Sequence, residues 1–82
     1  METKFVDCFE YEIRKGDDVL IAFDNINQKV PTIYCGIIIE VTEEYVKLVW
    51  QQWVSEIESS YEHVIYKKNE GINHLTNIYK FR

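Results

Sequence analysis

The chain has 82 residues, with 9 Lys plus Arg against 14 Asp plus Glu, and a formal net charge of −5. That length admits one domain, residues 1–82, and an apolar fraction of 46% with 15% aromatics excludes a disordered chain. The acidic balance argues against an electrostatic grip on phosphate backbones or anionic lipid.

Met1-Glu2-Thr3-Lys4 leads into no apolar run, so no signal peptide is expected. The longest apolar stretch, Ile33 to Ile39, is far shorter than the about 20 residues a membrane helix needs. A cytoplasmic location follows as the expectation. Cys8 and Cys35 are the only cysteines, and without an export signal they are expected to be reduced, buried side chains.

Phe5 to Ile13 alternates. Phe5, Phe9, Tyr11 and Ile13 share one face, with Asp7 as the exception, which predicts a half-buried strand. Lys15-Gly16-Asp17-Asp18 reads as a turn, because Gly reaches positive φ and Asp bonds its own backbone. Val19 to Phe23 is a short apolar run fit for a central strand. Asp24 to Pro31 is polar and reads as an exposed loop. Thr32 to Val41 and Tyr45 to Val54 are β-branched and aromatic, with Thr42-Glu43-Glu44 between them, and predict a hairpin. Its regular register places Glu40 opposite Lys47, an opposite-charge cross-strand pair. One face then carries Val41 with Val46, Ile39 with Leu48, Ile37 with Trp50, and Ile33 with Val54. The other carries Ile38 with Val49 and Tyr34 with Trp53.

Ser55 to Ser60 fits a turn or one short helical turn. Tyr61 to Tyr66 reads as a strand and Lys67-Lys68-Asn69-Glu70-Gly71 as a turn. Ile72 to Phe81 fits either a helix face or a strand face, and the preceding turn favours the strand. Five to six short strands with tight turns predict an all-β fold, a single small antiparallel barrel.

The segments Lys15-Gly16-Asp17-Asp18-Val19-Leu20-Ile21, Gly36-Ile37-Ile38-Ile39-Glu40-Val41 and Val46-Lys47-Leu48-Val49 resemble the SH3-like small barrels of the Tudor and KOW type. Those begin with a Gly-Asp-x-Val strand, continue with a Gly-x-apolar strand and a short turn, and close with an x-Val-x-apolar strand. The resemblance covers about half of the chain and implies the barrel fold. KOW modules are usually basic, and this acidic chain departs from that pattern.

In the regular register Tyr34, Ile38, Val49 and Trp53 form a second apolar row facing away from the core. An outward patch with Trp and Tyr has the composition of an interaction hot spot, so a non-enzymatic protein-binding module is the first functional expectation. A homodimer through the Trp53 face fits the same pattern. Tudor-like barrels bind methylated Lys or Arg in aromatic cages, and the resemblance implies Tyr34, Tyr45, Trp53 and Tyr61 with Glu43 or Glu44 as candidates.

A second expectation rests on charge. Asp17, Asp18, Glu40, Glu43, Glu44, Glu56 and Glu58, gathered on one face, would imitate a phosphate backbone. Small acidic phage proteins that inhibit nucleases or repair enzymes work this way. A third is a weak single-stranded nucleic-acid-binding barrel that relies on aromatic stacking, since the lysines form no run beyond Lys67-Lys68. Cys8, Cys35, His63 and His74 show no metal-ligand spacing, so no metal or other cofactor is expected. Ser55, Ser59 and Ser60 near His63 have no nucleophile elbow, and no catalytic residue is expected.

Overall fold

The β-branched and aromatic runs become strands in a computed structural model that describes residues 2–23, 32–54 and 57–81, with side chains for all of these but 51–59. The strands are β1 Lys4–Val6, β2 Asp18–Phe23, β3 Thr32–Val41, β4 Tyr45–Val54, β5 Ile57–Tyr66, β6 Ile72–His74 and β7 Ile78–Lys80. The protein is all-β, with no helix among the described residues. Strands β5-β4-β3-β2-β7 form one antiparallel sheet in that order, and β1 pairs with β6 in parallel. The five-stranded sheet is antiparallel as expected, and the short β1–β6 pair is the parallel addition to it.

Both long strands of the hairpin have the predicted bounds. The Thr42 hydroxyl sets the turn by accepting from the Glu44 and Tyr45 backbone N–H groups at 3.1 and 3.0 Å. Glu40 faces Lys47 and Val41 faces Val46 as expected. Beyond them the register shifts between Ile38 and Glu40, so that Ile38 faces Leu48, Ile37 faces Val49 and Gly36 faces Trp50. This β-bulge overturns the expected pairs Ile39–Leu48, Ile38–Val49 and Ile37–Trp50. One extra residue exchanges the two faces of the strand.

The neighbouring turn holds the shifted strand in place. Gly16, at φ +92°, donates its N–H to the Ile38 carbonyl at 2.7 Å, and the Ile38 N–H donates to the Asp17 carbonyl at 2.9 Å. Only glycine adopts that φ freely. Asp17 closes the turn by accepting from the Arg14 N–H at 2.7 Å.

The inner face of the sheet carries Val19, Ile21, Ile38, Val46, Leu48 and Ile78 into the core. Phe5, Ile13 and Leu75, from the β1 and β6 segments, cover them. The expected strand Phe5–Ile13 is cut short after Val6, and the reason is Asp7. Its carboxylate, 1% exposed, accepts from the backbone N–H groups of Phe9 and Tyr11 through Oδ1 and of Lys80 through Oδ2, each at 2.9 Å. Those bonds turn the chain at Cys8–Glu10 and fasten it to β7. Glu10 sits at φ 67°, an uncommon conformation for a residue with a Cβ. The turn leaves Phe9 and Tyr11 exposed, and only Phe5 and Ile13 of the predicted face reach the core.

The C-terminal third also differs from expectation. The strand predicted at Tyr61 begins at Ile57, so no helical turn occupies the described part of Ser55 to Ser60. Ile72 to Phe81 is extended rather than helical, but as two short strands that pair with β1 and β2, so the preceding turn does not open a hairpin with β5. The Asn73 side chain organises that preceding turn by accepting from the Lys68 and Asn69 N–H groups and donating to the Asn69 and Gly71 carbonyls. The expected loop Asp24 to Pro31 lies outside the described residues.

Replacing Asp7 removes a charged acceptor from three part-buried backbone N–H groups, and a hydrogen bond to a charged group is worth about 1.5–3 kcal/mol. Asp7→Ala is expected to lower unfolding stability by about 3 kcal/mol or more, measured by urea denaturation.

Candidate interaction face

On β3 the bulge directs Ile33, Cys35 and Ile37 to the outer face of the sheet. Ile33 is 61% exposed, Ile37 is 42% exposed, and Cys35 is exposed between them. The ladders extend this row sideways, since Ala22 faces Ile33, Leu20 faces Cys35, and Ile37 faces Val49. Leu20 also faces Tyr79 of β7. Phe9 and Phe81 continue the apolar surface, with ring centroids 5.7 and 5.8 Å from that of Tyr79. Two shallow depressions lie on this face. One of about 190 Å³ is lined by Cys8, Leu20, Ala22, Ile33 and Tyr79 among others. The other, of about 320 Å³, is lined by Asp18, Cys35, Gly36, Ile37 and Val49.

Charge frames this apolar centre. Asp18 is exposed beside Ile37. Toward β5 the same face turns polar. Lys47 Nζ lies 3.2 Å from the Glu62 carboxylate, and that hydrogen bond and charge hold the Lys47 ammonium above its ordinary range. The Tyr45 hydroxyl donates to Glu40, which raises the phenol above its ordinary value, with burial adding to the shift.

The expected outward row does not assemble. Ile38 is 1% exposed and belongs to the core, because the bulge places it opposite Leu48. Tyr34 follows it to the inner side, where its ring lies 4.4 Å from Trp50. Val49 is on the outer face as expected. The Trp53 side chain lies outside the described residues. Both cysteines, expected to be buried, are exposed thiols. Cys35 is turned outward by the register, and Cys8 sits in the Asp7 turn.

The expected aromatic cage is divided between the two faces. Tyr34 and Tyr61 lie on either side of Trp50, at 4.4 and 4.6 Å, and Phe23 joins them at 5.8 Å from Tyr34 and 5.5 Å from Trp50. His63 packs edge-on to Phe23. Tyr45 is at the far end of β4, beside Tyr66. Among the described rings, the inner cluster is packed ring on ring and extends the core.

The acidic candidates are dispersed. Asp17 is ion-paired with Lys80 at 3.1 Å, Glu40 accepts from Tyr45, and Glu44 lies 3.7 Å from Lys67. Asp18 and Glu43 are exposed. Glu56 and the Glu58 side chain lie outside the described residues.

The residues that the sequence reading missed are Ile33, Cys35 and Ile37 with their neighbours Leu20, Ala22 and Tyr79. Their alternation with Tyr34, Gly36 and Ile38 was visible, but which set faces outward depends on the bulge. Gly36 carries the remaining signal. A Cβ there would come within 2.9 Å of the Val49 carbonyl oxygen and 3.1 Å of Ile21 Cδ1. The position opposite Trp50 therefore takes no side chain.

Comparisons with protein families, curated proteins and solved structures find no match.

Gly36→Ala should force β3 and β4 apart where they pass closest. The expected loss is about 1–3 kcal/mol of stability, read as a lowered urea midpoint.

Proposed function

We propose that this protein is a non-enzymatic protein-binding module that docks its partner on the outer face of β2, β3 and β4. The observation that carries the reading is the row Ile33, Cys35 and Ile37, exposed on an interior strand of the sheet. A sheet with one face on a core usually turns polar side chains to water on the other. Here the ladder neighbours Leu20, Ala22, Val49 and Tyr79 widen the apolar surface instead, and contiguous patches of this kind mark interaction sites. Asp18 on the border selects a partner with an apolar centre and a basic rim. The resemblance to Tudor-like barrels supports a binding role, with the docking surface moved from the expected aromatic row to this aliphatic one.

The test is capture of partners from a host lysate by the wild type and by the double variant Ile33→Lys, Ile37→Lys. Both positions are solvent-facing, so each substitution should change stability by no more than about 0.5 kcal/mol, checked by thermal unfolding. Loss of the face should weaken binding by about 2 kcal/mol or more, on the hot-spot scale. The wild-type complex should persist as salt rises to about 0.5 M, because its contacts are apolar. A partner that both proteins retain at low salt and lose at high salt would assign binding to the acidic surface and overturn the proposal. A shift of single-stranded DNA or RNA that the double variant leaves unchanged would do the same in favour of the nucleic-acid reading.

A further inference from the structure

The two edges of the five-stranded sheet are treated differently. At the β7 edge the Asp7 turn lies alongside the strand, with the Cys8 N–H donating to the Ile78 carbonyl at 2.8 Å and the Asp7 carboxylate taking the Lys80 N–H. That edge is three residues long and covered. The β5 edge is 10 residues long, and among the described residues the sheet gives it β4 as its hydrogen-bonded strand neighbour and no other. Proteins commonly protect such an edge with Lys, Pro or a bulge. Ile57–Tyr66 contains neither Lys nor Pro, and its ladder to β4 runs without a register shift from Tyr45–Tyr66 to Val54–Ile57. Glu62, a charge that would guard the edge, is paired with Lys47.

We infer that β5 pairs antiparallel with β5 of a second copy of this chain, joining two sheets into one across a two-fold axis. An antiparallel match that keeps both inner faces on the same side can be centred on Tyr61, on Glu62 or on a neighbouring residue. Charge selects among these. Centring on Glu62 sets two carboxylates against each other, and centring on Ser60 sets Glu62 against Glu58 of the second copy. Centring on Tyr61 sets Glu62 opposite Ser60, Val64 opposite Glu58 and Ile65 opposite Ile57. It is the longest overlap in which no like charges face each other.

Two further observations fit that register. Tyr61 is 43% exposed and stacked on Trp50 with an interplanar angle of 21°. On the axis it continues the row Phe23, Tyr34, Trp50 toward its counterpart in the second copy. At the end of β5, a cleft of about 310 Å³ is lined by Ile65, Tyr66, Ile72 and Leu75 among others. The register brings the start of the second copy's β5 beside it. The contact uses the edge of the sheet, so it is separate from the outer face and independent of the partner proposed there.

Sedimentation equilibrium on the full chain, from about 1 to 500 µM, tests the pairing. The expected species has twice the 9.9 kDa chain mass. Ser60 is exposed and faces Glu62 of the second copy in this register, twice per dimer. Ser60→Glu should raise the dissociation constant about tenfold and Ser60→Lys should lower it by a similar factor. Neither should change the thermal unfolding of the dilute monomer. Ile37→Lys should leave the dimer in place. A wild type that stays monomeric throughout the range overturns the inference. So does a dimer that ignores both Ser60 substitutions, or one that Ile37→Lys dissolves.

Discussion

The insertion of one residue between Ile38 and Glu40 governs both faces of the sheet. On the turn side of the bulge, Glu40 and Val41 keep the alignment that the Glu40–Lys47 charge pair favours. On the other side every side chain of β3 is reversed. Ile38 and Tyr34 pass inward, and Ile33, Cys35 and Ile37 pass outward. The bulge is fixed from outside the hairpin, because Gly16 and Asp17 bond both polar groups of Ile38. The turn before β2 therefore decides which surface β3 presents.

That exchange has consequences on both sides. Inside, the position opposite Trp50 falls to Gly36, which alone fits the close approach of β2, β3 and β4. Trp50 packs against Tyr34 and Tyr61, and the core continues along the sheet as an aromatic cluster. Outside, the same reversal gathers aliphatic side chains where the sheet meets solvent. A soluble face and a well-filled core are ordinarily specified together by alternation. Here the inner face is packed into the core while the opposite face stays apolar over β2 and β3.

The parts of this fold that were legible in the sequence are those with local signals. β2, β3 and β4 announce themselves through β-branched and aromatic runs, and Gly16 and Gly71 mark the turns before β2 and β6, both at positive φ. The register at the hairpin end was legible because a charge pair and a valine pair agree there. It was lost at Ile37-Ile38-Ile39, where three isoleucines in succession make a shift by one residue invisible to any apolar pattern. Phe5 to Ile13 misled because Phe9 and Tyr11 maintain the alternation through a turn. Asp7, the one residue out of pattern, was the signal for that turn. The early part of β5 has little strand propensity at Glu58, Ser59 and Ser60, and pairing with β4 overrides it. The candidate face was half legible. Val49 was placed correctly, while Tyr34 and Ile38 changed sides with the bulge.

The parallel pair of β1 and β6 ties Lys4–Val6 to Ile72–His74, and Asp7 reaches Lys80. Strands β2 to β5 meet through neighbours in the chain, so they can associate in order as synthesis proceeds. The cover over their inner face cannot form in that order. Phe5 and Ile13 emerge first but lack the partners that hold them until Leu75 and Ile78 have been made. Vectorial synthesis therefore yields a sheet whose inner face is uncovered, and closure waits for residues 72–80. During that interval the apolar inner face is open to any neighbouring chain.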